Sequence, residues 1–177
     1  YGPRQLGLSD DEVEERMRWA LNAVALDPDV FADRPTLSLS GGEMRRAAIA
    51  GVLATRPRVL ILDEVTTGLD PEGRAQIHAL LRQLNHDEGT TVLFVSNDLD
   101  EVALLASSVT LLKNGQTLAQ GSARTVLGDA ALLGACGLGA PFAVSLADDL
   151  SAHGIVLTHT PLTAEEAEEE LWQAWKG

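Results

Sequence analysis

The sequence predicts an α/β fold: mainly parallel buried strands covered by helices, with a helical subdomain before them and a small helical extension after. Three observations predict it. The apolar runs Val59–Leu62 and Thr90–Val95 fit strands buried on both faces. Between them, Ile77, Leu80, Leu81 and Leu84 carry helical apolar spacing. The order strand, helix, strand, helix, hairpin implies parallel pairing of the two runs. The expected division is 1–56 for the helical subdomain, 57–121 for the α/β core and 122–177 for the extension.

Taken in order, Tyr1–Leu8 holds Gly2, Pro3 and Gly7 and reads as a loop. Ser9 with Glu12 makes a capping box, and Val13, Met17, Ala20, Leu21 and Val24 mark one face of a helix ending near Asp27–Pro28. Asp29–Thr36 is a connector. Ser40 and Glu43 form a second capping box, opening a helix that runs to about Arg56–Pro57. After Val59–Leu62, Asp70 is an N-cap with Pro71 as the first helical residue, and the helix closes at a turn over Asn85–Gly89. Asn97–Asp98 starts a helix through Val102, Leu104 and Leu105. Val109–Leu112 and Gln116–Ala119 flank Asn114-Gly115, the favoured two-residue hairpin turn. The last helix, Thr163–Trp175, is capped by Thr163 and Glu166.

A balance of 26 acidic against 13 basic side chains, net −13, is the wrong sign for a nucleic-acid-binding surface. Lys113 and Lys176 are the only lysines, so no polybasic membrane anchor is present. The single cysteine, Cys136, allows no internal disulfide and fits a reducing compartment. Ala130–Ala147 is free of charge over eighteen residues. Its glycines and Pro141 nevertheless predict a short helix, a turn and a second apolar piece rather than a membrane span.

The chemistry concentrates in two places. Gly41 and Gly42 fill the first two positions of the Ser40 helix, where each costs about 0.5–1 kcal/mol relative to Ala. Two residues without side chains beside unpaired N–H groups suit a closely approaching anion; a glycine-containing cap without a ligand is the other reading, and this stretch alone supports both. Asp63 and Glu64 follow the apolar run Val59–Leu62, at the strand end where open α/β sheets bind ligands. Adjacent residues on an extended chain point apart, so they suit separate tasks: Asp63 holding Mg²⁺ through water, and Glu64 orienting or deprotonating an attacking water.

In this order, LSGGE, VLILDE, TGLD and VSNDLDEV resemble the signature, Walker B, D-loop and switch-histidine regions of the ATP-binding-cassette ATPases. YGPRQLGLSDDEVEERM, SGGEMRRAAIAGVLA and LLKNGQTLAQG are similar to the ATPases of energy-coupling-factor transporters, the cobalt, nickel and vitamin importers. The resemblance implies the C-terminal part of a P-loop NTPase of this type, with ATP and Mg²⁺ as ligands. It implies an ATP-hydrolysing subunit at the cytoplasmic face of the membrane, paired head to tail with a second ATPase subunit and coupled to a transmembrane protein. It assigns Ser40, Gly41, Gly42 and Glu43 to the ATP held by the partner, Asp63 to Mg²⁺, Glu64 as catalytic base, Asp70 as the bridge between subunits, and Asn97 to the switch position.

The sequence departs from that pattern in four ways. No GxxxxGK[ST] occurs, so the chain is expected not to bind or hydrolyse ATP in cis. Asn97 stands for His, which can carry a proton near neutral pH where an amide cannot, and slowed hydrolysis is expected. Glu43 replaces Gln, and Val65 replaces Pro. The last two also resemble the heads of chromosome-maintenance ATPases, an alternative that the acidic balance and the absence of heptads oppose; a non-catalytic dimerising or regulatory module is the other. His78, His86, His153 and His159 show no metal-ligand spacing and read as surface or helix-face residues. Trp172 and Trp175 are expected to pack on the domain or on a second copy, and Arg45 and Arg46 to be solvated or paired.

Overall fold

The computed structural model describes residues 1–176. They fall into two compact units, Tyr1–Val95 and a second opening at Ser96.

The first unit begins with α1 (Gly2–Gln5), where a loop is expected. Pro3 is compatible with a first helical turn, since its missing N–H has no partner to lose there. α2 (Asp10–Ala23) opens on the predicted Ser9–Glu12 capping box but stops earlier than its apolar spacing suggests. Ala25 turns left-handed (φ 55°), and the N–H of Leu26 reaches back to the carbonyl of Leu21. Asp27 then caps α3 (Pro28–Phe31), and a 3₁₀ turn, Thr36–Ser38, leads to α4 (Gly41–Leu53). α2 and α4 pack together, burying Ala20, Leu21, Ile49 and Leu53.

β1 (Val59–Asp63), α5 (Pro71–His86) and β2 (Thr91–Val95) form the parallel crossover the sequence predicts, in register from Val59 opposite Thr91 to Asp63 opposite Val95. The expectation that these strands are buried on both faces is corrected. Leu60 and Leu62 are buried, whereas Ile61 and Leu93 are 67% and 56% exposed. α5 lies against β2; the other face carries Val59, Ile61, Leu93 and Val95, and within this unit it is uncovered. A near-continuous apolar run marks a strand whose sequence suits two covered faces, and one of them is realised here.

α5 is the pillar of this unit. Ile77, Leu80, Leu81 and Leu84 recur at helical spacing and all are buried. Leu84→Ala, at a residue only 1% exposed, is expected to cost about 2–5 kcal/mol through lost burial and a residual cavity. Urea unfolding checks this as a lowered midpoint with an unchanged slope.

The second unit holds α6 (Leu99–Leu105), β3 (Ser108–Lys113), β4 (Gln116–Ser122), α7 (Ala123–Leu127), α8 (Ala130–Cys136), α9 (Phe142–Ala152) and α10 (Ala164–Lys176). β3 and β4 form the predicted antiparallel hairpin, with Asn114 and Gly115 at φ 50° and 74° in its turn. The charge-free stretch is α8, a left-handed Gly137 and the start of α9, as expected. No helix among the described residues is long and apolar enough to cross a membrane.

The loop before α10 is pinned by carboxylates. Glu170 accepts the N–H groups of Thr158 and His159, and Glu166 accepts that of Leu162 while pairing with Arg124 at 2.7 Å. Thr163 accepts the N–H of Glu166, as predicted for this cap. Of the two tryptophan expectations, packing on the domain is not met: Trp172 and Trp175 are 51% and 78% exposed and lean on each other, centroids 5.5 Å apart. At i and i+3 on one helical face they find each other before anything else in their own unit.

Candidate functional site

At the start of α4 the capping box is closed in both directions. Ser40 Oγ accepts the N–H of Glu43 at 3.3 Å, and Glu43 Oε2 accepts the N–H of Ser40 at 2.7 Å. The Ser40 N–H first, then its hydroxyl, hold the Glu43 carboxyl below the usual carboxylate range. Glu43 thus turns its charge onto its own helix end. The N–H groups of Gly41 and Gly42, at N1 and N2, have no carbonyl one turn back to bond. A Cβ built on Gly41 meets nothing within 4 Å, and one on Gly42 meets only Leu69 Cδ2 at 3.7 Å. The glycines are therefore not required by packing within this chain.

The Glu43 bond makes the helix end acid-sensitive, with a definite sign. A carboxyl whose folded pKa is depressed contributes stability above its unfolded value, about 4.3 for Glu, and that contribution is lost as pH falls through the folded value. Glu43→Gln is expected to flatten the acid limb of stability against pH, measured by urea unfolding from pH 6 downward.

At the other pole of the site, β1 delivers Asp63 and Glu64 to the exposed carboxyl end of the sheet. The Asp63 carboxylate has no hydrogen bond or ion pair among the described residues, and no group of three metal-ligating side chains exists among them. This single free carboxylate fits a largely hydrated Mg²⁺, which keeps its waters and needs only one or two protein oxygens, and does not fit a metal caged by protein. Glu64 is left-handed, φ 45°, a conformation of order 1–2 kcal/mol uphill for a residue with a Cβ. Its N–H is held by the Val95 carbonyl at 2.9 Å, and its carbonyl accepts the N–H of Thr67 at 3.2 Å. Buried Thr66 and left-handed Gly68 complete the turn to Asp70. Asp70 caps α5 by accepting the N–H of Gly73 at 2.8 Å; a Cβ at Gly73 would sit 2.8 Å from that same oxygen and push it off the cap.

The first unit therefore brings together Ser40, Gly41, Gly42, Glu43, Asp63, Glu64 and Asp70. Two contacts join the start of α4 to the loop after β1: Gly42 lies beside Leu69, and Arg45 Nη1 donates toward the carbonyls of Glu64, Val65 and Thr67. Asn97 belongs to the second unit, where it is exposed. Its neighbours bracket it: Ser96 Oγ donates to buried Glu101 at 2.7 Å and accepts the N–H of Asp98 at 3.1 Å.

Of the readings solvated or paired, Arg45 is paired, and sequence reasoning missed its partners, the chain's own carbonyls. A signal was available, since Arg45 stands one helical turn before buried Ile49 and shares its face. Arg46 is paired, with Gln76 at 3.3 Å. Of the two readings offered for the histidines, His78 takes the helix-face one, on α5 and only 8% exposed, while His86 and His159 are exposed. A cavity of about 580 Å³, lined by Trp19, Arg56, Arg58 and Thr91, lies at the opposite strand ends and holds none of the predicted site residues.

Residues 3–67 match the family described as ABC transporter. The chain is 38% identical to the energy-coupling factor transporter ATP-binding protein EcfA2 of Clostridium perfringens, across 97% of this chain and 60% of that protein. It is also 38% identical to the protein of the same name in Clostridioides difficile, across 100% of this chain and 62% of that one. Among solved structures it is similar to cbiO1 of Clostridium perfringens, part of the ABC transporter complex cbiONQ, with 38% identity and a TM-score of 0.60 over 69% of this chain and 48% of that one. The bacterial ABC transporter cassette MJ0796, described as bound to ADP and Pi in a post-hydrolysis dimer, matches at 31% identity and a TM-score of 0.60, over 66% of this chain and 50% of that one. The chain thus spans about three-fifths of the length of the curated relatives it matches.

Proposed function

This chain belongs to the ABC transporter family, and on that premise we propose that it serves an ATP-hydrolysing, energy-coupling subunit of an energy-coupling-factor importer. The reading is carried by one observation: two side-chain-free positions at the mouth of a helix, open to solvent, stand beside the loop that bears Asp63, Glu64 and Asp70. In this reading the N–H groups of Gly41 and Gly42, with the field of the helix end behind them, receive the terminal phosphate of ATP held by a second ATPase subunit. The closed capping box keeps the Glu43 charge on Ser40 and out of that phosphate's way.

Glu64 accepts a proton from the attacking water. Asp63 would hold Mg²⁺ through water, and that ion, when bound, neutralises phosphate charge. Asp70, fixed as a cap, faces the second subunit. No GxxxxGK[ST] occurs in the 177 residues, so these residues do not themselves supply a lysine and amide cradle for the phosphates. Asn97 hydrogen-bonds phosphate without carrying a proton near pH 7, and a site using it turns over more slowly than one with His. The motion of closing and reopening passes to a transmembrane partner on the cytoplasmic side.

Light scattering on the native protein with its second ATPase subunit tests this. ATP is expected to raise the mass to that of the closed pair, and its hydrolysis to lower it again. A mass indifferent to ATP, with no phosphate released, overturns the reading.

A further inference from the structure

We propose that Arg45 is a positioning residue: its guanidinium holds the turn Glu64–Thr67 in the conformation that presents the Glu64 carboxylate. By the same contact it ties the helix carrying Gly41 and Gly42 to that carboxylate. The proposal rests on the reading of Glu64 as the base.

The carbonyl oxygens of Glu64, Val65 and Thr67 converge on Arg45 Nη1, the first two at 3.4 Å. Three carbonyl oxygens turned toward one point place like partial charges together, which the chain does not adopt without a donor or cation at that point. Glu64 is also left-handed without being glycine, so its conformation persists only where its surroundings over-determine it. Its N–H is fixed by Val95, and Arg45 is the cation that fixes its carbonyl side. Arg46, the adjacent cation, bonds Gln76 instead. Arg45 lies one turn into α4, so any shift of that helix start on meeting a phosphate moves the carbonyls that set Glu64.

Amide hydrogen exchange and ATP turnover, measured on the native assembly, test the assignment. The Thr67 amide reports the turn directly, because it bonds the Glu64 carbonyl. Arg45→Ala is expected to speed Thr67 exchange at least about tenfold and to lower kcat roughly ten- to a hundredfold, with KM for ATP within about twofold. Arg45→Lys, which returns the cation, recovers most of both, and the thermal midpoints of the two variants stay close to wild type. Unchanged Thr67 exchange in Arg45→Ala overturns the proposal. So does a fall in kcat that tracks a lowered thermal midpoint and is not recovered by lysine. A wild-type protein that turns over no ATP overturns the hydrolytic reading instead, and Thr67 exchange still decides the clamp.

Discussion

Glu64→Gln is expected to lower ATP turnover by roughly 10²–10⁴-fold, the range a lost general base accounts for, and to leave ATP-driven association of the subunits in place. The substitution is nearly isosteric, and the side chain it alters is exposed at the strand end, so no core contact is lost. The backbone that positions it stays as it is, since Val95 and Arg45 hold main-chain atoms of residue 64. What changes is that an amide accepts no proton near neutral pH. Single-turnover phosphate release and light scattering, run on the same preparation, separate the two effects. Turnover within about twofold of wild type would remove Glu64 as the base. Loss of association together with turnover would instead point to a damaged binding step.

Gly41→Asp is the second large effect, and its two consequences have opposite signs. Within the chain the substitution is expected to stabilise α4 by about 1 kcal/mol, because a first-turn glycine costs about that much and an acidic group suits a helix N-terminus. There is room for it, since a Cβ at Gly41 meets nothing within 4 Å. In the assembly the same carboxylate stands where a phosphate is to approach amide N–H groups. Like charges at such short range are strongly unfavourable once water is excluded. ATP-driven association is therefore expected to be lost while the urea midpoint of the variant rises. A variant that is both more stable and fully ATP-responsive would show that nothing anionic comes close to this helix end.

Much of the local structure was legible because it is written in short-range chemistry. The capping boxes at Ser9 and Ser40, the Asp70-Pro71 helix start and the Asn114-Gly115 turn each depend on residues within a few positions of one another, and all are found. The helix over Gly2–Gln5, the left-handed Ala25 and the early end of α2 were not, since spacing describes a face but not where a backbone stops bonding to itself. The candidate site divides the same way. Its residue types and order could be read along the chain, but the carbonyl cluster around Arg45 could not, as those oxygens converge only when α4 and the loop after β1 come side by side.

By itself the sequence determined most of the longer helices and the strands, that β1 and β2 run parallel, and that Asp63 and Glu64 stand at the carboxyl end of β1. These follow from periodicity, caps and order, which act over a turn or a crossover. Only the tertiary structure decided that the sheet of the first unit has one covered face, that His78 is inside and the tryptophans of α10 outside, and that an arginine holds a strained glutamate. The reason is physical. Apolar character states that a side chain gains by leaving water; whether it finds a neighbour depends on atoms distant in the chain, and so does the partner a charge finds.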